Sequence, residues 1–123
     1  LEYVVQQEVA EANLSALHTP LLFHGHTHIP ALWSAHDEIV QSTPIGAEPI
    51  SLRSGSLVNA GSVGQPRDRD PRAAWLLWER DELGAGLGTA TWRRVEYNIP
   101  AAQEAIDAAG LPDFLASRLA VGR

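Results

Sequence analysis

The sequence predicts an α/β protein, because helical patterns occupy both ends of the chain and β-type runs lie between them. Residues 1 to about 17 carry apolar residues at helical spacing. Several short apolar runs between residues 21 and 97 stop at glycine or proline, which is typical of strands. After residue 99, proline and glycine stand where a helix begins and ends. The chain is long enough for one domain or part of one.

The first half of the sequence predicts one helix followed by short strands. Thr19-Pro20 separates the helix from a buried strand that starts at Leu21. A second strand is predicted over 31–36, followed by a turn at residues 37–38 and a polar loop over 41–49. Residues 50–59 predict a hairpin with its turn at Ser54-Gly55.

The second half predicts another hairpin and two helices. Residues 73–79 and 89–97 are expected to pair across a glycine-rich turn, with their tryptophans packed on the sheet. Pro100 suits the first turn of a helix and Gly110 its C-terminal cap, and a short helix follows Pro112. The stripe expected to be buried on the longer helix is Ile99, Ala102, Ile106 and Ala109.

Composition excludes several classes of protein. The 123 residues carry a net charge of −6, which argues against a nucleic-acid binder held by phosphate contacts. The absence of cysteine excludes disulfides and thiolate metal sites and fits a cytoplasmic protein. No apolar run approaches the roughly 18 residues that a membrane span needs. The absence of methionine leads us to expect a piece of a longer protein.

The most informative stretch is Leu-Leu-Phe-His-Gly-His-Thr-His-Ile-Pro at residues 21–30. His24, His26 and His28 stand at alternate positions, so an extended strand would place them on one face. Neutral imidazole is the commonest metal ligand in proteins. The spacing alone leaves two interpretations open, which are a metal site and solvated loop histidines.

A second stretch, Ser-Leu-Val-Asn-Ala-Gly-Ser-Val-Gly-Gln-Pro-Arg-Asp at residues 56–68, is a short predicted strand that ends in a glycine-rich turn. Taken together, Gly25-His-Thr-His28 and Asn59-Ala-Gly-Ser-Val-Gly-Gln-Pro-Arg67 resemble the calcineurin-like metallophosphoesterases, and most of all their small prokaryotic phosphodiesterase branch. The resemblance extends from about residue 1 to about residue 98, with both motifs in the family's order and near its spacing.

The resemblance implies a fold and a metal centre. The family fold is a four-layer αββα sandwich of two mixed sheets, and residues 1–123 would be the C-terminal portion of one such domain, without its N-terminal half. Members hydrolyse phosphate esters with two divalent metal ions, among which Mn, Fe, Zn and Ni are candidates. Carried over to this sequence, His26 would hold one ion and His28 the other.

The resemblance also suggests residues around the metals. His24 is outside the family's ligand positions, so it is either structural or a second-shell residue that orients a ligand or substrate. Asn59, Gly61, Ser62 and Arg67 are candidates for binding the substrate's phosphate, because turn amides and the arginine fork suit anions. The alternatives are that the glycines only satisfy turn geometry and that Arg67 joins a solvated ion-pair loop.

Several family motifs are absent from the sequence, namely Asp-x-His, Gly-Asp and Gly-Asn-His. They supply the bridging aspartate, an asparagine ligand and the histidine that assists the leaving group. We therefore assign no catalytic residue within the chain and expect the chain alone to be inactive. The intact protein is expected to hydrolyse phosphodiesters or phosphomonoesters, with the missing half as partner and a nucleotide as a permitted substrate.

Two other functions remain open from the sequence. The chain could belong to a scaffold or binding protein of the same fold, which a degraded N-terminal half would favour. It could also be an unrelated histidine-rich module that binds one structural metal and folds better with zinc.

Overall fold

Two β-sheets form the centre of the chain, in a computed structural model that describes residues 4–37, 39–80 and 86–123. The strands are β1 (Leu21–His24), β2 (Ala31–His36), β3 (Ile39–Ser42), β4 (Ile50–Ser51), β5 (Ser56–Asn59), β6 (Ala73–Glu79) and β7 (Thr89–Val95). The larger sheet has the order β1-β5-β2-β3, and the smaller sheet has the order β4-β7-β6.

The larger sheet is mixed. β1 runs parallel to β5, whereas β2 pairs antiparallel with both β5 and β3. All four residues of β5 are buried, which fits its run of apolar and small residues in a central position. The smaller sheet is antiparallel throughout its described pairs.

The core lies between the two sheets and beneath the first helix. Leu32 and Val58 of the larger sheet pack with Leu52, Ala90 and Trp92 in one buried cluster. On the opposite face of the larger sheet, the helix α1 (Gln7–Ser15) contributes to a second cluster. Its buried residues are Val4, Ala10, Val40 and Leu57. The larger sheet is therefore covered on both faces.

The C-terminal elements are α2 (Ile99–Ala108), α3 (Asp113–Ser117) and a 3-10 turn at Arg118–Val121. As predicted, α2 has Pro100 in its first turn, and the Asn98 side chain caps it by accepting from the Ala101 amide at 3.1 Å. The predicted buried stripe is wrong in one respect, because no residue of α2 is fully buried. α2 packs against α3 and the 3-10 turn rather than against a described strand.

Some local expectations are confirmed and others are wrong. The hairpin of β6 and β7 is confirmed, although residues 81–85 of its turn lie outside the described part. The hairpin over residues 50–59 is wrong, because β4 pairs with β7 and β5 pairs with β1 and β2. Residues 52–55 thus connect the two sheets. β3 was not predicted, and it overlaps the start of the loop expected over 41–49. Its apolar Val40 is buried against α1.

The mixed architecture confirms the predicted α/β class, with two sheets and flanking helices. In the part of the chain that the structure describes, none of the helices has the length and apolar character needed to span a membrane.

Candidate functional site

The histidine motif forms a loop that crosses one end of the central strand. β1 and β2 lie on opposite sides of β5, and the register pairs both His24 and Ala31 with Asn59. The chain from Gly25 to Pro30 must therefore pass over Asn59. The expectation that all three histidines share one strand face is wrong, because β1 ends at His24 and the crossing requires a change of direction.

The loop makes this change with left-handed backbone at two histidines. The φ angles of His26 and His28 are +73° and +61°. A residue with a Cβ atom loses roughly 1–2 kcal/mol in this conformation. The Thr27 amide donates to the Gly25 carbonyl at 2.9 Å, so His26 is the centre of a positive-φ γ-turn, a rare and strained form. Such strain persists only where neighbouring contacts hold it.

Asn59 provides one set of these contacts. Its side chain is fully buried, and its amide nitrogen donates to the Thr27 hydroxyl at 2.9 Å and to the Gly25 carbonyl at 3.2 Å. Its side-chain oxygen accepts from the Gly61 amide at 2.9 Å. Thr27 is buried too, with 3% of its surface exposed. Asn59 thus joins the histidine loop to the turn of the second motif.

The second motif also contacts His28 directly. The His28 Nδ1 atom lies 2.8 Å from the Gln65 carbonyl oxygen, and the Arg67 amide donates to the His28 carbonyl at 3.2 Å. A carbonyl only accepts hydrogen bonds, so Nδ1 carries the ring proton. The Nε2 atom of neutral His28 then keeps its lone pair, which is the arrangement that metal-binding histidines adopt.

The other two histidines differ in exposure. His26 is exposed at the tip of the loop. His24 is half-buried at the end of β1, with its Nδ1 atom 3.4 Å from the Asn59 amide nitrogen and its Nε2 atom buried without a partner. Burial lowers the pKa of His24, so its imidazole is neutral at pH 7.

The remaining candidate residues brace the turn between Asn59 and Arg67. Gly61 has a φ of +88°, and a Cβ atom there would lie 2.8 Å from both Pro30 and Ala74. The Ser62 hydroxyl accepts from the Gln65 amide at 3.0 Å, and Arg67 donates from Nη2 to the Gln65 side chain at 2.7 Å. These contacts hold Gln65 against His28. A role for any of these residues in phosphate binding stays a prediction.

The donor set suits part of a metal site. His26 and His28 offer imidazole nitrogens, which suit several divalent transition metals. In residues 4–37, 39–80 and 86–123 there is no group of three or more histidine, aspartate and glutamate side chains placed to hold a metal. Two imidazoles fall short of the four ligands of a closed tetrahedral site. Further ligands would have to come from elsewhere.

A cleft of about 550 Å³ lies beside the loop rather than at its histidines. Its lining includes Ile29 and Pro30 of the loop together with the charged residues Asp68, Asp70 and Arg94. Arg94 forms ion pairs with both aspartates. None of His24, His26 and His28 is among the residues that line it.

Two residues that support the histidines escaped the sequence-based reasoning. Thr27 stood between the candidate ligands as a spacer, and Gln65 contacts His28 through a backbone carbonyl, which any residue could provide. Neither a sequence motif nor a charge distinguishes these two residues in the sequence. Only the register that brings Asn59 beneath the loop shows their role.

Comparisons with known proteins find relatives in both structure and sequence. No protein-family model matches the sequence. A crystal structure of a metallophosphoesterase from Sphaerobacter thermophilus matches the whole chain with a TM-score of 0.84 and 38% identity. An uncharacterized protein of Methanocaldococcus jannaschii is 34% identical over 103 residues, or 84% of this chain.

The chain spans only part of each relative, namely 50% of the Sphaerobacter protein and 40% of the Methanocaldococcus protein. The agreement in fold extends over the full length of the chain, including both motifs. The resemblance to the metallophosphoesterases is therefore confirmed, and this chain has the fold of about half of such a protein.

Proposed function

We propose that this chain contributes His26 and His28 to the metal centre of a phosphoesterase whose other ligands lie outside the chain. The single observation that supports this most is the contact between His28 Nδ1 and the Gln65 carbonyl, which leaves Nε2 as the ligand atom. The likeness to a crystallised metallophosphoesterase over the whole chain supplies the family context. The chain is the C-terminal portion of a single domain in this proposal.

Two divalent ions, drawn from Mn, Fe, Zn and Ni, are the proposed cofactors. When bound, such ions stabilise the negative charge that develops on a phosphoryl group during hydrolysis. His26 and His28 hold and orient them, and Gln65 fixes the ring of His28. The substrate is a phosphate ester, either a diester or a monoester, and the chain alone lacks activity because it lacks the other ligands.

The proposed partner is the remaining half of the same domain. β1 and β6 stand at the ends of their sheets in the described part of the chain. Each edge exposes a large apolar side chain, since 43% of the surface of Phe23 in β1 and 42% of that of Trp78 in β6 are accessible to solvent. The centroids of these two rings lie 5.2 Å apart. Exposed apolar edges of this kind are sites where further strands add.

Substitution of the two histidines in the full-length protein tests this function. We expect His26→Ala and His28→Ala each to reduce the rate of hydrolysis by more than roughly 100-fold. Loss of a residue that only orients a metal ligand already lowers metal affinity or activity by roughly 10- to 100-fold. The measurement is turnover of bis-p-nitrophenyl phosphate and p-nitrophenyl phosphate with added Mn²⁺. His36→Ala is the matched control, since His36 is exposed and pairs with Asp37 at 3.4 Å.

The result also separates enzyme from scaffold. A wild-type protein without turnover on either ester, but with an intact fold, would favour the scaffold function. Near-wild-type turnover of both His26→Ala and His28→Ala would contradict the proposed ligands while leaving the family resemblance in place.

A further inference from the structure

We propose that the buried hydrogen bond between Thr27 and Asn59 positions His26 and His28, so that Thr27 and Asn59 are positioning residues of the metal site. This inference rests on the proposed function and deepens it. It assigns a role to Thr27, which lies between the two ligands, and changes the expected role of Asn59 from contact with phosphate to support of the loop.

The first argument is topological. His24 and Ala31 both pair with Asn59 in the strand register, so the six residues between them form a bridge whose two ends flank this one residue. A bridge fixed only at its ends can adopt many shapes. The Asn59 amide fixes its middle as well, through Gly25 and Thr27.

The second argument concerns the backbone at the two ligands. His26 and His28 both have positive φ angles, which residues other than glycine rarely adopt. Thr27 lies between them, and its hydroxyl also accepts from the Ile29 amide at 3.2 Å. One buried hydroxyl therefore holds the segment that contains both strained residues. Loss of that hydroxyl removes the buried contact at Thr27 and leaves the strained backbone on either side of it with fewer restraints.

The third argument is that burial excludes water from this contact. Asn59 is fully buried and Thr27 almost so, hence no solvent can replace either partner. The Asn59 side chain also has no exposed surface with which to reach a substrate. Its side-chain contacts with His24, Gly25, Thr27 and Gly61 all lie within the histidine loop and the second motif.

The test compares Thr27→Val with Thr27→Ser in the full-length protein. Valine keeps the volume of threonine and removes the hydroxyl, whereas serine keeps the hydroxyl. We expect Thr27→Val to weaken binding of Mn²⁺, titrated alone into the metal-free protein in a calorimeter, by roughly 10- to 100-fold. Thr27→Ser should bind within a few-fold of wild type.

Asn98→Ala is the control for general destabilisation. Asn98 caps α2 far along the chain, so its loss lowers the melting temperature without a contact to the loop. We expect unchanged Mn²⁺ affinity for this variant. Equal Mn²⁺ affinity of Thr27→Val and wild type would overturn the proposal, and so would equal losses in Thr27→Val and Asn98→Ala.

A second readout does not depend on metal. Long-range ¹⁵N–¹H spectra of the metal-free protein should show His28 with its proton on Nδ1 in wild type and Thr27→Ser, and a mixture of tautomers in Thr27→Val. Thr27→Ala serves if Thr27→Val does not fold. An unchanged tautomer in the hydroxyl-free variant overturns the positioning role. If the wild-type protein does not bind Mn²⁺, the result counts against the proposed function. The tautomer of His28 then tests the positioning role without reference to metal.

Discussion

The hairpin of β6 and β7 is regular extended backbone, whereas the histidine loop has strained backbone that contacts from distant parts of the chain hold in place. In the hairpin, β6 and β7 are extended strands with a period of two, and they pair in one antiparallel register from Ala73 with Val95 to Glu79 with Thr89. In the loop, the same period suggests one face for His24, His26 and His28, although positive φ angles break the strand after His24. Periodicity therefore predicts regular elements and fails where long-range contacts hold strained backbone.

The two regions are nevertheless connected. The indole nitrogen of Trp92 in β7 donates to the Asn59 carbonyl at 2.8 Å, and the Ala74 amide of β6 donates to the Ser62 carbonyl at 2.8 Å. The hairpin thus supports the second motif, and the second motif supports the histidine loop. Changes at these junctions should reveal how strongly the regular part of the fold holds the irregular part.

The largest effect on stability is expected from Gly61→Ala. A methyl group at Gly61 would lie 2.8 Å from Pro30 of the loop and from Ala74 of the hairpin, at a φ of +88°. Overpacking and the unfavourable φ together should lower the free energy of unfolding by about 3 kcal/mol. Urea unfolding followed by circular dichroism measures this change. Gly64→Ala is the matched control, because nothing lies within 4 Å of a Cβ atom there.

A smaller effect is expected from Trp92→Phe. Phenylalanine keeps most of the apolar ring but leaves the buried Asn59 carbonyl without its indole donor. An unsatisfied buried acceptor costs about 2 kcal/mol. Trp75→Phe on the exposed face of the same hairpin should change stability by less than about 0.5 kcal/mol. Equal losses in the two variants would show that Trp92 does not support the second motif through this bond.

The smallest effect is the pH dependence of stability that comes from Asp70, one of the charged residues that line the cleft beside the loop. The Arg72 side chain hydrogen-bonds to Asp70 and, with Arg94 nearby, holds the pKa of Asp70 down from 3.8 to about 2. A lowered pKa in the folded state means that ionised Asp70 stabilises the fold above pH 4. This contribution should fade as the pH falls from about 4 to about 2.

The contribution of ionised Asp70 to the free energy of unfolding is about 1 kcal/mol or less, because its ion pair with Arg72 is partly exposed to solvent. Urea unfolding of wild type and Asp70→Asn at pH 6 and pH 2.5 measures it. The two proteins should differ more at pH 6 than at pH 2.5. A difference between wild type and Asp70→Asn that is independent of pH would contradict the assigned cause.

The sequence was sufficient for the fold class, for the β6–β7 hairpin and for the two motifs that carry the family resemblance. Pro100 also marks the start of α2, because the preference of proline for the first turn of a helix is a local effect. The sequence was insufficient for residues 50–59, whose two short strands look like a hairpin but enter different sheets. The partner of a strand depends on the whole fold. The roles of Thr27 and Gln65 depend on it too, because their contacts join positions more than thirty residues apart in the sequence.

The central claim is that His26 and His28 each hold a metal ion in a site that the rest of the protein completes. Native mass spectrometry of the full-length protein, reconstituted with Mn²⁺, tests it most directly. We predict two ions per molecule for wild type and for His36→Ala, and fewer for His26→Ala and His28→Ala. Two ions retained in both loop variants would contradict the claim, whatever activity the protein shows.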